Sequence, residues 1–117
     1  MLLKSRKMLS MPGANARVRL YEDLDCYMVY LQSYETDVLE LIAGKDGTYS
    51  LYCTGTYSQT TARHINRFTT EFFGTNLYPV CKTMCGLKCD GWRIVHYSND
   101  PDVYSSIMRA IYEYQTC

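Results

Sequence analysis

The amino-acid sequence predicts a single small α+β domain, in which an antiparallel sheet of three to four strands carries two main helices on one face. Short segments rich in β-branched and aromatic residues, a glycine-containing hairpin loop and two capped amphipathic segments support this fold class. The 117 residues include 12 basic and 12 acidic side chains, a composition typical of one globular domain. We therefore assign residues 17–117 to the domain and interpret residues 1–16, which are basic and lack acids, as a flexible arm.

Four segments are predicted to form strands because β-branched and aromatic residues dominate them. The loop Gly44–Gly47 is a hairpin connection between the second and the third segment. In the third segment Leu51 and Tyr52 point to opposite faces, so Tyr52 is predicted to face away from the core. The predicted strands are Tyr27–Ser33, Asp37–Ala43, Thr48–Thr54 and Trp92–Tyr97.

The first main helix is predicted to begin after Ser58, which can cap its free amides, and to end at Gly74. Its periodicity separates an apolar stripe that faces the sheet from a polar face that points to solvent. The stripe contains Ala62, Ile65, Phe68 and Phe72, and the polar face contains Gln59, Arg63, Asn66, Arg67, Thr70 and Glu71, with His64 at its margin.

Two further helices are predicted towards the C-terminal end of the sequence. A short helix over Leu77–Cys85 is expected to turn Val80 and Met84 inward. The second main helix begins after Asp100, because an N-cap aspartate followed by proline is a strong start signal.

Three cysteines recur at every fourth position, and a histidine follows them. The C-x3-C spacing lies within the range of zinc sites, but three thiols along one helical face diverge and cannot all reach one tetrahedral ion. Packing as small hydrophobic side chains is therefore the preferred interpretation, and no metal or cofactor is predicted. A zinc-stabilised interaction module remains the alternative; its ligands would be Cys81, Cys85, Cys89 and His96.

The sequence contains no motif that indicates catalysis. A nucleophile elbow, a phosphate-binding loop and a dinucleotide fingerprint are all absent, so we do not expect an enzyme. No apolar run approaches the roughly 20 residues of a membrane span, and the start of the chain does not resemble a secretion signal. A cytoplasmic protein without membrane contact is therefore expected.

A high tyrosine content indicates binding instead. Aromatic residues make up 14% of the chain, including 12 tyrosines, and tyrosine offers a large rigid contact surface with a hydroxyl group. A protein partner is expected, with nucleic acid as the alternative and a homodimer as a further option. The candidate partner-binding residues are Arg63, His64, Asn66, Arg67, Tyr52 and Tyr57.

Two runs of the sequence, Ser33–Val38 and Tyr57–Phe68, match the pattern S-Y-x-T-x-V followed by Y-S-x-T-T-x-R-H-I-N-x-F. This pattern resembles a family of small proteins of unknown function from bacteriophages and mobile elements of Gram-positive bacteria. The resemblance covers residues 33–68 and brings no activity, cofactor or catalytic residue with it. It implies an accessory protein that acts in the cytosol of a host cell. We therefore expect the partner to be a host protein, such as a defence nuclease inhibited in the manner of an anti-CRISPR protein.

Overall fold

The computed structural model describes residues 1–55, 58–86 and 91–117. The α+β class is confirmed, but the described residues form six strands and three helices, so the predicted three to four strands and two main helices are too few. The strands are β1 (Leu2–Lys7), β2 (Ala16–Glu22), β3 (Cys26–Ser33), β4 (Thr36–Gly44), β5 (Tyr49–Cys53) and β6 (Arg93–Ser98). The helices are α1 (Gln59–Phe73), α2 (Tyr78–Cys85) and α3 (Pro101–Thr116).

The strands form one sheet in which each strand pairs antiparallel with the next one along the chain. The edges of the sheet are therefore β1 and β6. The predicted hairpin loop joins β4 to β5, and Gly47 has the positive φ of 95° that favours glycine. The turn between β3 and β4 places Tyr34 at a φ of 56°.

The first 16 residues do not form the predicted arm outside the domain. They supply β1, which pairs with β2 from Leu2 opposite Tyr21 to Lys7 opposite Arg17, and the fully buried Met8. The prediction rested on the positive charge of this region and did not consider that it pairs with the next strand. In β2 the apolar residues point into the core and the basic residues point away from it, which is the period of a half-buried strand.

All three helices pack on one side of the sheet, which we call the inner face; the opposite side is the outer face. Alternate residues of the central strands are buried on the inner face against apolar residues of α1 and α3. The sheet contributes Val18, Leu20, Val29, Leu31, Leu39, Leu41 and Leu51, and the helices contribute Ile65, Phe68, Phe72, Ile107 and Ile111.

Helix α1 has the predicted ends and the predicted apolar stripe. The Ser58 hydroxyl accepts a hydrogen bond from the Thr61 amide at 3.2 Å, and Gly74 follows the helix with a φ of 77°. Phe68 and Phe72 are fully buried, and their rings stack with centroids 4.5 Å apart. Local sequence signals therefore define this helix.

Helix α2 occupies the predicted segment but buries a different stripe. Cys81 and Cys85 are buried, whereas Val80 and Met84, which were predicted to point inward, are exposed. The two stripes are adjacent on the helix, so a rotation of about 100° exchanges them. The Cys85 thiol donates to the Cys53 carbonyl at 3.1 Å, which fixes the observed rotation against β5.

Helix α3 begins as predicted. A side-chain oxygen of Asp100 accepts hydrogen bonds from the amides of Asp102 and Val103, at 2.9 and 3.3 Å. One face of the helix is buried by Ile107, Ala110, Ile111 and Tyr114. In the part of the chain that the structure describes, no helix has the length and apolar character needed to cross a membrane.

A carboxylate on α1 ties the segment after β1 to both main helices. Glu71 accepts hydrogen bonds from the Ser10 amide at 2.9 Å, from the Ser10 hydroxyl and from the Tyr114 hydroxyl. The Leu9 amide in turn donates to the Tyr114 oxygen at 3.0 Å. Burial and the bond to Glu71 raise the pKa of Tyr114, so its hydroxyl remains a donor at neutral pH.

Candidate functional site

The outer face of the sheet has no helix of the described chain over it. Its side chains are mostly half-buried, and several of them contact one another. The register places Tyr30 opposite Arg19 on one side and Glu40 on the other, and Glu40 is in turn opposite Tyr52. A row of aromatic and charged side chains therefore crosses four strands.

Three aromatic rings meet on this face. The rings of Tyr21 and Tyr30 are perpendicular, with centroids 5.7 Å apart, and the indole of Trp92 lies 6.2 Å from Tyr30. Edge-to-face pairs of this kind are favourable, since the positive edge of one ring meets the negative face of another. We call Tyr21, Tyr30 and Trp92 the aromatic cluster.

Arg19 holds the aromatic cluster in place. Its guanidinium donates to both oxygens of Asp37, at 2.6 and 2.9 Å, and also to Gln32 and to the hydroxyl of Tyr21. The same guanidinium lies over the ring of Tyr30, 5.1 Å from its centroid. The bond to Asp37 raises the pKa of Arg19, so the guanidinium stays charged.

The hydroxyl of Tyr30 donates to the carboxylate of Glu40. Burial, together with this hydrogen bond, raises the pKa of Tyr30 to about 12. The phenol is therefore neutral under physiological conditions. Its ring is fixed at one end by Glu40 and on one face by Arg19, so its position is determined before any partner binds.

A cleft of about 310 Å³ opens between these side chains. The charged residues in its lining, Arg19 and Asp37, are bonded to each other, so the lining is neutral as well as aromatic. A cleft with this lining can hold one large apolar side chain, such as an aromatic ring or a methionine. The cleft is lined by Arg19, Tyr21, Met28, Tyr30, Asp37 and Trp92.

The structure divides the predicted partner-binding residues between two surfaces. Tyr52 is half-buried on the outer face, as predicted, whereas Arg63 and Arg67 are exposed on α1 on the other side of the sheet. Among the described residues, neither guanidinium has a hydrogen bond or an ion pair. Asn66 is half-buried and accepts a hydrogen bond from Thr70 at 3.2 Å. Tyr57 lies outside the described residues.

His64, predicted at the margin of the polar face, is instead buried, with 1% of its surface exposed. Its Nδ1 shares a hydrogen bond of 2.8 Å with the hydroxyl of Ser33, which lies 3.1 Å from the Thr61 hydroxyl. Glu71, from the polar face of the same helix, bonds Ser10 and Tyr114 and not His64. A serine–histidine pair is a common catalytic arrangement, but here Ser33 is only 2% exposed, so the pair is enclosed in the folded protein.

The predicted zinc ligands are not brought together in the described part of the chain, which contains no group of three or more ligand side chains suited to a metal ion. Cys81 and Cys85 belong to the core, and His96 packs against the rings of Tyr49 and Phe73. Contact with Cys81, together with burial, raises the pKa of the Cys53 thiol, so Cys53 remains a neutral thiol in the core. Cys89 lies outside the described residues.

Sequence reasoning missed most of the aromatic cluster. It used the high tyrosine content as a sign of binding, but its candidate binding residues include neither Arg19 nor Tyr30 nor Trp92. The alternation of basic and apolar residues in β2 could have placed Arg19 and Tyr21 on one face of a strand. Nothing local in the sequence could have placed Trp92 beside Tyr30.

A protein-family model for a family of unknown function, DUF8033, matches residues 2–82. The chain belongs to the DUF8033 family. The matched region runs from β1 into α2 and includes every residue of the cleft lining except Trp92. Strand β6 and helix α3 lie beyond it. No curated protein and no solved structure matches the chain.

Proposed function

We propose that this member of the DUF8033 family is a non-enzymatic binding protein that holds a protein partner against the outer face of its sheet. The observation that carries the proposal is the aromatic cluster, which lies beside a neutral cleft. Its Trp92 is exposed, and its two tyrosines are held in place by Arg19 and Glu40. Side chains fixed in advance lose little entropy on binding, and aromatic anchors supply most of the affinity in many protein interfaces.

We further propose that the partner is a host protein. This step follows from the resemblance of residues 33–68 to proteins of bacteriophages and mobile elements. A small binding protein in that setting can act by occupying a functional surface of a defence nuclease, so that the nuclease no longer reaches its target.

The experiment is affinity capture with the purified chain from a lysate of the host cell, followed by measurement of the affinity for each captured protein. We expect Trp92→Ala and Tyr30→Ala to weaken partner binding at least tenfold, because each removes one ring beside the cleft. Tyr30→Phe keeps the ring and loses only the bond to Glu40, so its effect should be smaller. Trp92 is the single tryptophan of the chain, so its fluorescence reports directly on occupancy of the cleft.

The matched control is Tyr112→Ala, which removes an exposed tyrosine from α3 on the other side of the molecule and should leave binding unchanged. The proposal is wrong if the Trp92→Ala variant captures the same proteins with the same affinity as the wild type. This comparison requires that Trp92→Ala and the control Tyr112→Ala both keep the wild-type melting temperature.

A second candidate function is nucleic-acid binding through α1. The observation that favours it is the pair of exposed guanidiniums of Arg63 and Arg67, one helical turn apart. In that case, an oligonucleotide binds at 50 mM salt, the affinity falls steeply as salt is added, and Arg63→Glu with Arg67→Glu abolishes it. The outer-face variants would then have no effect, which separates the two candidates.

A further inference from the structure

The edge of the sheet at β6 is more apolar than the rest of the described surface. Of the ten large hydrophobic side chains that are exposed among the described residues, five lie on β6, immediately before it or on α2 beside it. Helix α2 is adjacent to β6, and the Arg93 guanidinium donates to the Met84 carbonyl at 3.2 Å. The five residues are Val80, Met84, Trp92, Ile94 and Tyr97.

The two edges of the sheet differ in a way that bears on pairing. Strand β1 carries Lys4, Arg6 and Lys7, and basic side chains on an edge strand oppose pairing with another strand. Strand β6 carries one arginine at its start and no acidic residue. Its partner on one side is β5, while its other side faces no strand of the described chain.

We propose that two copies of this chain form a homodimer by antiparallel pairing of β6 with β6 of the second copy. A register shift in β6 between residues 94 and 96 turns Ile94 and Tyr97 to the same face of the sheet. A β6 strand placed antiparallel to itself therefore brings Ile94 of each copy near Tyr97 of the other, so that exposed apolar side chains cover one another. The two Arg93 side chains then lie at opposite ends of the pair, about 17 Å apart, so they do not repel strongly. The stripe of Val80 and Met84 adds apolar surface on the inner side of the same edge.

The overall charge of the chain also favours a second copy as the occupant. The chain has a formal net charge of zero at pH 7, so no long-range repulsion opposes association between copies. Pairing of this kind creates a two-fold axis perpendicular to the sheet, which is the closed symmetry of most homodimers. The inference can be tested separately from the proposed function, because Ile94 and Tyr97 do not line the cleft and the dimer needs no partner of another kind.

The test is sedimentation velocity with reductant present, at protein concentrations from 1 to 200 μM. We expect the mass to approach twice the 13.6 kDa of one chain as the concentration rises. Ile94→Lys and Tyr97→Lys should each raise the dissociation constant of the dimer at least tenfold, since each places a charge in the paired edge. Tyr112→Lys is the matched control, because Tyr112 is 62% exposed and Tyr97 is 66% exposed, and it should leave the dimer unchanged.

Hydrogen–deuterium exchange locates the contact. Peptides covering residues 93–98 should exchange more slowly at 100 μM than at 1 μM, whereas peptides covering the other edge, residues 2–7, should not change. A wild-type mass of one chain at 200 μM overturns the proposal. So does a dimer that both β6 variants leave intact, or one whose protected edge is β1.

Discussion

At the residue scale, the buried His64 determines how stability depends on pH. Its imidazole is enclosed with Ser33 and Thr61 on the inner face, and the ring of Tyr34 lies 6.0 Å away. Burial, together with the neighbouring Arg63, lowers the pKa of His64 below its ordinary value of about 6.5. The folded protein therefore holds this histidine neutral.

We predict that stability falls as the pH decreases from 7.5 to 5.5. The unfolded chain binds a proton at His64 near pH 6.5 and the folded chain does so only at lower pH, so unfolding gains a proton in this interval. The stabilisation is complete above pH 6.5 and is lost as the pH falls through the lowered pKa of His64. Urea unfolding at several pH values measures it. His64→Gln should flatten this slope, and an unchanged slope in that variant would contradict the assignment.

At the scale of one element, the hydrogen bond from the Thr61 amide to Ser58 determines where α1 begins. We predict that Ser58→Ala lowers the free energy of unfolding by about 1 kcal/mol, because a helix amide loses its acceptor. The matched control is Ser105→Ala, at an exposed position inside α3, where alanine is the better helix former. Urea unfolding followed by circular dichroism measures both variants, and an equal loss from both would show that the cap contributes nothing.

At the scale of the whole molecule, the segment before β2 is part of the domain. Met8 is fully buried, and Glu71 and Tyr114 bond the two residues that follow it. We predict that Met8→Ala costs about 2–5 kcal/mol of unfolding free energy, as expected for a large-to-small change in a core. Met84→Ala is the control, since Met84 is exposed, and its cost should be well below 1 kcal/mol. A Met8 variant as stable as the wild type would mean that residues 1–16 are an arm after all.

Structural features that depend on residues close together in the sequence could be predicted from it. The ends of α1 and α3 follow from Ser58, Gly74 and Asp100, each of which acts within a few residues of its own position. The aromatic cluster depends instead on strand register and on a chain path that returns to the sheet after α2. Arg19 meets Asp37 and Trp92 meets Tyr30 only after β2 to β6 have assembled, so no local pattern could indicate those contacts.

The position of the cleft on β2 and β3 has a consequence for avidity. Three strand spacings separate β3 from β6 in each copy, and one more separates the two paired β6 strands. The clefts of the two copies would therefore lie on the same side of the sheet, seven spacings or about 34 Å apart. A target with two equivalent binding sites at that distance would be held at both points, and its release would require both to open together. Bivalent attachment can raise apparent affinity 10²–10⁴-fold without any new contact. A target with one such site would gain nothing from it.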